Sequence, residues 1–275
     1  MSSDHSSLSV QGRLPLIDAH IHLDMYETDE RKWIMQELTE HRIEAMIAVS
    51  KDLPSCQESL NLAAQYPGIV HPAFGYHPEQ SVPSETELER LLQWMDEHAA
   101  DMIAVGEIGL PYYSRQEALE QGRDFDLKPY VQLLERMLQF ASKHNKPVVL
   151  HAVYDDAVLV CDLLEQYAIT KAHFHWFKGA PDTIARMAKA GYYISFTPDI
   201  LYEEEIIELA RIYPAEQVMV ETDGPWPFEG PFRGQTTHSK MVNDAAAAWA
   251  NIQGLPQEEA RSILYNNTRC FYGLA

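Results

Sequence analysis

Eight short segments rich in apolar and β-branched residues alternate along this sequence with longer segments of helical periodicity. This alternation favours a parallel sheet, because each helix carries the chain back so that the next strand can start in the same direction. The predicted strands are Leu14–Ala19, Ala45–Ser50, Val70–Gly75, Ile103–Glu107, Pro147–His151, Lys171–His175, Gly191–Phe196 and Gln217–Glu221.

The intervening segments predict amphipathic helices. They cover Asp29–His41, Ser55–Tyr66, Glu85–Ala99, Leu127–Asn145, Asp155–Tyr167, Pro181–Ala190, Glu203–Tyr213, Thr236–Gly254 and Pro256–Leu264. Eight strand–helix units in about 250 residues are the size of a closed (β/α)₈ barrel. The sequence therefore predicts an α/β fold, a single-domain TIM barrel over residues 13–275, preceded by a flexible N-terminal tail over residues 1–12. A doubly wound open sheet is the alternative that the alternation leaves open.

Two long stretches between predicted elements carry proline, glycine and aromatic residues and lack a clear period: Ile108–Asp126 and Thr222–Thr236. Both follow a predicted strand. In a barrel they would lie at the carboxyl end of the strands, where barrel enzymes build their active sites.

The chain is strongly acidic, with 41 Asp and Glu against 21 Lys and Arg, which gives a formal charge of −20. Such an excess repels a phosphate backbone and an anionic membrane surface, so we expect no tight binding of duplex DNA and no membrane association. It does not exclude an active site that accepts a phosphate, because a bound metal ion can invert the local field.

The cysteines and the N-terminal residues indicate a compartment. Cys56, Cys161 and Cys270 are far apart and odd in number, which argues against a disulfide framework and favours a reducing environment. The first residues have neither the basic nor the apolar region of a signal peptide, and no apolar run reaches the length of a membrane span. These features predict a cytoplasmic protein.

Two histidines at the end of the first predicted strand could bind a metal ion together. His20 and His22 are two residues apart, and the period of a strand directs both imidazoles to the same face. At that separation they can chelate a single ion. A His-x-His pair alone is weak support, because such pairs also occur by chance.

Four further potential ligands fall at the ends of other predicted strands, which strengthens the metal hypothesis. Glu107 ends the fourth strand, His151 the fifth and His175 the sixth, and Asp223 follows the eighth. In a barrel these ends meet on one face. Imidazole and carboxylate ligands suit zinc foremost, with manganese, nickel or magnesium as alternatives.

These residues occur in motifs that together resemble one family. The motifs are Asp18-Ala19-His20-Ile21-His22, Gly75-Tyr76-His77-Pro78, Gly106-Glu107-Ile108-Gly109-Leu110, the strand-ending His151, His175-Trp176-Phe177-Lys178-Gly179, Glu221-Thr222-Asp223-Gly224-Pro225 and the closing Asn266-Asn267-Thr268-Arg269. They resemble those of the TatD family of metal-dependent hydrolases, within the amidohydrolase superfamily. The resemblance extends from Leu14 to Tyr272.

The resemblance implies a binuclear metal centre that activates water for hydrolysis. His20, His22 and Asp223 would hold one ion, His151 and His175 the other, and Glu107 would bridge them. Two such ions polarise an ester oxygen and lower the pKa of a bound water. Asp223 would accept the proton of that water, so that Asp223 and Glu107 are the predicted catalytic residues.

The sequence departs from the family pattern beside the predicted ligands. Pro111 stands where family members usually have Asp, and Val153 stands where they usually have Arg. Trp176 and Lys178 replace the usual Cys and Ser or Thr after the ligand His175. The metal ligands are retained while their neighbours differ, so the substrate of a relative does not transfer directly.

Six residues near the predicted ligands are candidates for binding substrate. The histidine could hydrogen-bond the substrate or support a metal ligand. The two cations could contact a phosphate or carboxylate, and the aromatic residues could wall the pocket. Each also has a simpler interpretation as an ordinary loop residue. The candidates are His77, Lys178, Arg233, Trp176, Trp226 and Tyr112.

Three functions are compatible with these observations. The first, implied by the resemblance, is hydrolysis of a phosphodiester in short or single-stranded nucleic acid, a deoxyribonuclease or exonuclease activity, or in another small anionic ester. The second is hydrolysis of a small carboxylic amide, ester or lactone. The third is a non-catalytic metal-dependent binding protein. The ligand set does not separate the first two, because both reactions use the same metals.

Overall fold

The computed structural model describes residues 14–274, so the predicted flexible tail over residues 1–12 lies outside the described residues. Eight strands form a single parallel sheet in which every strand pairs with the next along the chain. This is the predicted (β/α)₈ barrel. The strands are β1 (Leu16–Ile21), β2 (Ile43–Val49), β3 (Val70–Phe74), β4 (Ala104–Gly109), β5 (Val148–His151), β6 (Ala172–Phe174), β7 (Tyr193–Phe196) and β8 (Val218–Val220).

Helices alternate with these strands and cover the barrel. They are α1 (Thr28–Glu37), α2 (Leu53–Gln65), α3 (Glu85–Glu97), α4 (Tyr112–Glu120), α5 (Lys128–His144), α6 (Asp155–Gln166), α7 (Pro181–Ala190), α8 (Glu204–Ile212), α9 (Val242–Gln253) and α10 (Gln257–Tyr272). Among residues 14–274, no helix has both the length and the apolar composition needed to cross a membrane.

The barrel closes where the chain beyond β8 meets β1. The backbone N–H of Asp223 donates to the carbonyl of His20 at 2.9 Å, and the N–H of His22 donates to the carbonyl of Gly224 at 2.8 Å. An open sheet would leave these two edges apart, so the doubly wound alternative is wrong.

The buried apolar side chains form two main groups, one on each side of the sheet. The larger group packs between the strands and the surrounding helices. The smaller group fills the barrel interior, where strand residues pack against Phe271 and Tyr272 from the end of α10. Because side chains fill the interior, the site lies at the carboxyl end of the strands. The strand residues of this inner group are Ala19, Ile47, Val49, Ala73, Ala104, Val149 and Met219.

The structure corrects the predicted elements in several places. Helix α4 occupies part of the stretch Ile108–Asp126, for which no helix was predicted. It could not be recognised from periodicity, because Ala118 is its one buried residue and no apolar stripe marks it. Helix α10 continues to Tyr272 rather than ending at Leu264. Strand β4 continues to Gly109, so Glu107 lies inside the strand and not at its end.

Gly109 permits the close approach of β4 to β5 beside Glu107. Its backbone has a φ of 156°, and a Cβ atom at this position would lie 2.0 Å from the carbonyl oxygen of His151. That oxygen accepts a hydrogen bond from the N–H of Leu110 at 3.0 Å. Any side chain at Gly109 would therefore push apart the two strands that carry Glu107 and His151.

Replacing Gly109 with alanine is expected to lower the free energy of unfolding by about 3 kcal/mol or more, because the Cβ would overlap backbone atoms and the φ is unfavourable for alanine. Urea unfolding followed by circular dichroism measures this loss. Gly122→Ala is the matched control, because Gly122 also has a positive φ of 68° but open space around it. Equal losses in the two variants would show that the close approach is not the cause.

Candidate metal centre

Closure of the barrel brings the two histidines of β1 to the aspartate that follows β8. Asp18 fastens the same two segments, because its carboxylate accepts hydrogen bonds from the N–H of Thr222 at 2.9 Å and from its hydroxyl at 2.6 Å. As a result, Oδ1 of Asp223 lies 3.2 Å from Nε2 of His20 and 3.6 Å from Nε2 of His22. The three residues predicted to hold one ion are therefore adjacent.

Glu107 lies at the centre of the cluster and is fully buried. Its Oε2 atom is 3.2 Å from Nε2 of His20 and 3.1 Å from Nε2 of His22. Its Oε1 atom is 2.8 Å from Nε2 of His175 and 3.0 Å from Nδ1 of His151. Each carboxylate oxygen thus faces one of the two histidine pairs, which is the arrangement that a bridging ligand requires.

The donor atoms of this cluster fit a divalent cation. In the part of the chain that the structure describes, Nε2 of His20, Oε2 of Glu107 and Oδ1 of Asp223 are buried without a hydrogen-bond partner, although they lie close to one another. A buried polar atom without a partner costs about 1–3 kcal/mol. Ligand atoms of His20, His22 and Asp223, and those of His20, Glu107 and His175, lie within 4.8 Å of one another. A bound cation would satisfy these atoms.

The electrostatics of the cluster also favour a cation. Burial acts to raise the pKa of Glu107, but the imidazole of His175 and its neighbours outweigh burial and hold that pKa well below its usual range. Burial and His175 act to lower the pKa of His20, but its contacts with Glu107 and Asp223 outweigh them and raise it to about 9. The buried carboxylates thus attract positive charge, which a divalent ion would supply in place of protons.

Two residues at the centre have left-handed backbone conformations. Asp223 has a φ of 47° and Trp176, directly after His175, has a φ of 40°. Such conformations cost about 1–3 kcal/mol for a non-glycine residue and occur preferentially at functional sites. One of them is a candidate ligand and the other directly follows one, which is consistent with a functional role for the cluster.

The loop after β3 adds two residues to the cluster. Nε2 of His77 lies 3.2 Å from Oε1 of Glu107, so this predicted substrate contact is placed among the candidate ligands. Oε1 of Glu79 lies 3.2 Å from Nε2 of His151. Glu79 was not among the residues predicted from the sequence. The one sequence feature that could have indicated Glu79 is its position two residues after His77, in a loop at the carboxyl end of a strand.

A buried chain of polar contacts leads from α10 to His175. The hydroxyl of Tyr272 lies 2.8 Å from Nδ1 of His173, and Nε2 of His173 lies 2.6 Å from the hydroxyl of Ser195. Ser195 donates to Oε2 of Glu221 at 2.6 Å, and Oε1 of Glu221 faces Nδ1 of His175 at 3.5 Å. Glu221 thus occupies the outer side of His175, which leaves Nε2 of that imidazole directed at Glu107. Glu221 belongs to the motif Glu221-Thr222-Asp223-Gly224-Pro225, but no role for it was predicted from the sequence.

A cavity of about 230 Å³ opens beside the cluster, and Trp226 forms part of its wall. His22 and His77 lie at the side of the cavity that adjoins the cluster. Trp226 is 50% exposed, so part of this residue is accessible to a ligand. The remaining lining residues are Met25, Lys51, Glu79 and Gln80.

Tyr112 is the first residue of α4, and Trp176 lies in the loop after β6. Tyr112 packs against Tyr154, with ring centroids 4.9 Å apart. The indole N–H of Trp176 donates to the carboxylate of Asp199, and its backbone N–H donates to Glu221 at 2.8 Å. These rings are fixed by protein contacts, and their binding to substrate stays a prediction.

Lys178 and Arg233 have partners within the protein. Nζ of Lys178 lies 5.5 Å from the centroid of the Trp176 ring, so its charge is held over an aromatic face near His175. The Arg233 side chain is 80% exposed and pairs with Glu229 at 3.4 Å. The structure places Arg233 at the surface and does not bring it to the cluster. Contact of either cation with an anionic substrate stays a prediction.

Known proteins share the sequence and the fold over nearly the whole chain. A family model described as "TatD related DNase" matches residues 17–273. A metal-dependent hydrolase of Haemophilus influenzae is 37% identical over 94% of this chain and 100% of its own length. Human deoxyribonuclease TATDN3 is 25% identical over 92% of each chain. The crystal structure of YJJV, a TatD homologue of Escherichia coli, superposes with a TM-score of 0.82 at 23% identity, over 94% of this chain and 98% of its own. The chain therefore belongs to the TatD family of metal-dependent hydrolases.

Proposed function

We propose that this protein is a deoxyribonuclease-type enzyme that hydrolyses phosphodiesters at the ends of short or single-stranded nucleic acid. The observation that carries the proposal is the position of Glu107, whose two carboxylate oxygens each face a separate pair of imidazoles. A carboxylate placed in this way suits two ions a few Å apart, the arrangement used by many nucleases and phosphatases. The name of the human relative, deoxyribonuclease TATDN3, supports nucleic acid as the substrate.

We assign the following roles to the residues of the cluster. His20, His22 and Asp223 would hold one ion and His151 and His175 the other, with Glu107 between them. Zinc is the first candidate metal, with manganese, nickel or magnesium as alternatives. The ions would supply Lewis-acid polarisation of the phosphodiester and a lower pKa for water.

Asp223 is the proposed general base. Burial acts to raise the pKa of Asp223, but the contact with His20 and the charges of His175 and His22 outweigh burial and lower that pKa. The side chain is therefore a carboxylate at neutral pH and can accept the proton of the attacking water. Its left-handed backbone and its hydrogen bond to β1 fix the carboxylate in position.

The cavity and the charge favour a substrate end over a long duplex. A volume of about 230 Å³ is below the range of about 300–1,000 Å³ that accommodates a whole drug-sized ligand. Only one unit of a longer substrate would enter, and Trp226 could stack on a base there. A charge of −20 opposes a duplex lying across the surface.

A cytoplasmic location belongs to this proposal. Cys56, Cys161 and Cys270 are all free thiols in the structure. Three unpaired cysteines fit a reducing compartment, where thiols stay reduced.

Hydrolysis of a small carboxylic amide, ester or lactone is the second candidate, and the residue at position 153 favours it. Val153 is buried where family members usually carry an arginine. A cation that could contact a phosphate is therefore replaced by an apolar side chain beside β5. A carboxylic substrate without charge would not need that cation.

The deciding experiment measures hydrolysis by metal-replete protein before chelation, after chelation and after metal is restored. The substrates are single-stranded and duplex oligonucleotides, bis-p-nitrophenyl phosphate and simple carboxylic esters. We expect cleavage of single-stranded ends and of the phosphodiester, with loss on chelation and recovery with metal. Hydrolysis of the carboxylic esters alone would establish the second candidate. No hydrolysis with metal bound would support a non-catalytic metal-dependent binding protein.

A further inference from the structure

Glu79, in the loop after β3, contacts both the start of α4 and the end of β5. We propose that Glu79 is a positioning residue, which orients His151 for metal binding and docks helix α4, with Tyr113 at its start, beside the metal centre. The inference rests on the proposed function, because it assigns to His151 the role of a metal ligand. Glu79 directly follows the motif Gly75-Tyr76-His77-Pro78, and no role for it was predicted from the sequence.

The Glu79 carboxylate caps the start of α4. Oε1 accepts a hydrogen bond from the N–H of Tyr113, and Oε2 accepts one from the N–H of Ser114, each at 2.8 Å. The first N–H groups of a helix have no partners within the helix and are usually satisfied by a side chain at its own N-terminus. In α4 that position is Pro111, which has no side-chain acceptor. Glu79 therefore provides the cap from a different loop.

The same carboxylate orients His151. Oε1 of Glu79 lies 3.2 Å from Nε2 of His151, so that nitrogen is occupied on the outer side of the ring. The other nitrogen, Nδ1, lies 3.0 Å from Oε1 of Glu107 and 3.3 Å from Nε2 of His175. A carboxylate on one ring nitrogen of a metal-binding histidine fixes which nitrogen carries the proton and how the ring is turned. Glu79 thereby directs Nδ1 to the centre.

The loop that carries Glu79 is itself anchored. The N–H of His77 donates to the carbonyl of Lys51 at 2.9 Å, and the side-chain amide of Gln80 donates to the same carbonyl. Residues on both sides of Glu79 are thus tied to the end of β2. These hydrogen bonds fix the backbone on both sides of Glu79, so its carboxylate is held in position to contact both α4 and His151.

Tyr113 is the residue through which this arrangement would reach a substrate. Its ring is 49% exposed, and its centroid lies 5.9 Å from the centroid of the His151 ring. Because its backbone N–H is bound to Glu79, the position of the ring depends on that carboxylate. Loss of Glu79 should therefore affect two measurable quantities, the affinity for one metal ion and the KM for substrate.

The test compares Glu79→Ala and Glu79→Gln with wild type, using Zn²⁺ titration against a chromophoric chelator and kinetics on bis-p-nitrophenyl phosphate. Removing an outer partner of a ligand histidine typically costs about 10–100-fold in metal affinity. We expect a weakening of this size for one of two zinc equivalents in Glu79→Ala, together with a several-fold higher KM. Glu79→Gln keeps an oxygen for the helix cap but loses the charge, and a smaller weakening of the same equivalent is expected.

Asp52→Ala is the matched control. Asp52 caps α2 by accepting from the N–H of Ser55 at 2.9 Å, as Glu79 caps α4. We expect Asp52→Ala to lower the thermal midpoint while both zinc equivalents bind as in wild type. Wild-type zinc affinity in both Glu79 variants, or equal zinc loss in Asp52→Ala, would show that Glu79 is only a helix cap. If Glu79→Ala does not fold, Glu79→Gln decides. Wild-type protein that binds no zinc would instead overturn the proposed function, and this inference with it.

Discussion

Replacing Asp223 with asparagine is expected to lower kcat by about 10²–10⁴-fold, the usual contribution of a general base. Asparagine is neutral and cannot accept the proton of the attacking water. Because it keeps an oxygen that can face His20 and His22, most of the bound metal should remain. Initial rates on bis-p-nitrophenyl phosphate at saturating substrate, with elemental analysis of the same sample, measure both quantities.

Asp244→Asn, which changes an exposed aspartate in the first turn of α9, is the control for the change from carboxylate to amide. It should leave kcat and metal content at the wild-type level. If Asp223→Asn loses metal in proportion to activity, Asp223 acts as a ligand and not as the base. If kcat is unchanged, the proton leaves by another route, and the assignment of Asp223 as the base is wrong.

The grouping of the six candidate ligands was predictable because it depends on strand direction alone. In a closed parallel barrel every strand ends on the same face, so residues at or just after strand ends converge whatever their separation in sequence. His20 and His22 add the two-residue period of a strand, which keeps both imidazoles on one face. Neither step requires knowledge of side-chain packing. The side chains converge as expected, although Glu107 lies inside β4 and not at its end.

Glu79 and α4 could not be predicted from the sequence for a common reason. Both depend on a contact between segments that are far apart in the chain, with Glu79 and His151 separated by 72 positions. Helix α4 has no apolar stripe, and its first N–H groups are capped from the loop after β3 and not from its own N-terminus. Neither helix α4 nor the contacts of Glu79 can therefore be recognised from local periodicity or from local capping residues.

The polar contacts behind His175 could not be predicted from the sequence for the same reason. His173 and Ser195 lie on β6 and β7, and Glu221 directly follows β8. Each residue alone resembles an ordinary strand position. The contacts of 2.6 Å that link them appear only when β6, β7 and β8 are placed side by side. The position of Lys178 over the Trp176 ring is likewise decided by side-chain packing, which sequence spacing does not specify.

Replacing Glu107 with alanine is expected to have the largest effect on the protein, namely the loss of both metal equivalents. Oε2 of Glu107 faces His20 and His22, and Oε1 faces His151 and His175, so one substitution removes an anionic ligand from each position. Affinity at both should fall by more than about 100-fold, because removal of an outer partner alone costs about 10–100-fold. Hydrolysis of bis-p-nitrophenyl phosphate should then fall to the level of buffer, and added metal should not restore it.

The contrast with single-site variants tests whether Glu107 bridges. His22→Ala should mainly weaken the equivalent held with Asp223, whereas His151→Ala should mainly weaken the other, and each variant should keep one zinc equivalent of near wild-type affinity. Glu107→Ala should keep neither. The comparison uses zinc titration against a chromophoric chelator after metal-replete purification. One tight equivalent remaining in Glu107→Ala would mean that the carboxylate serves a single ion, and a wild-type protein without metal would refute the binuclear centre altogether.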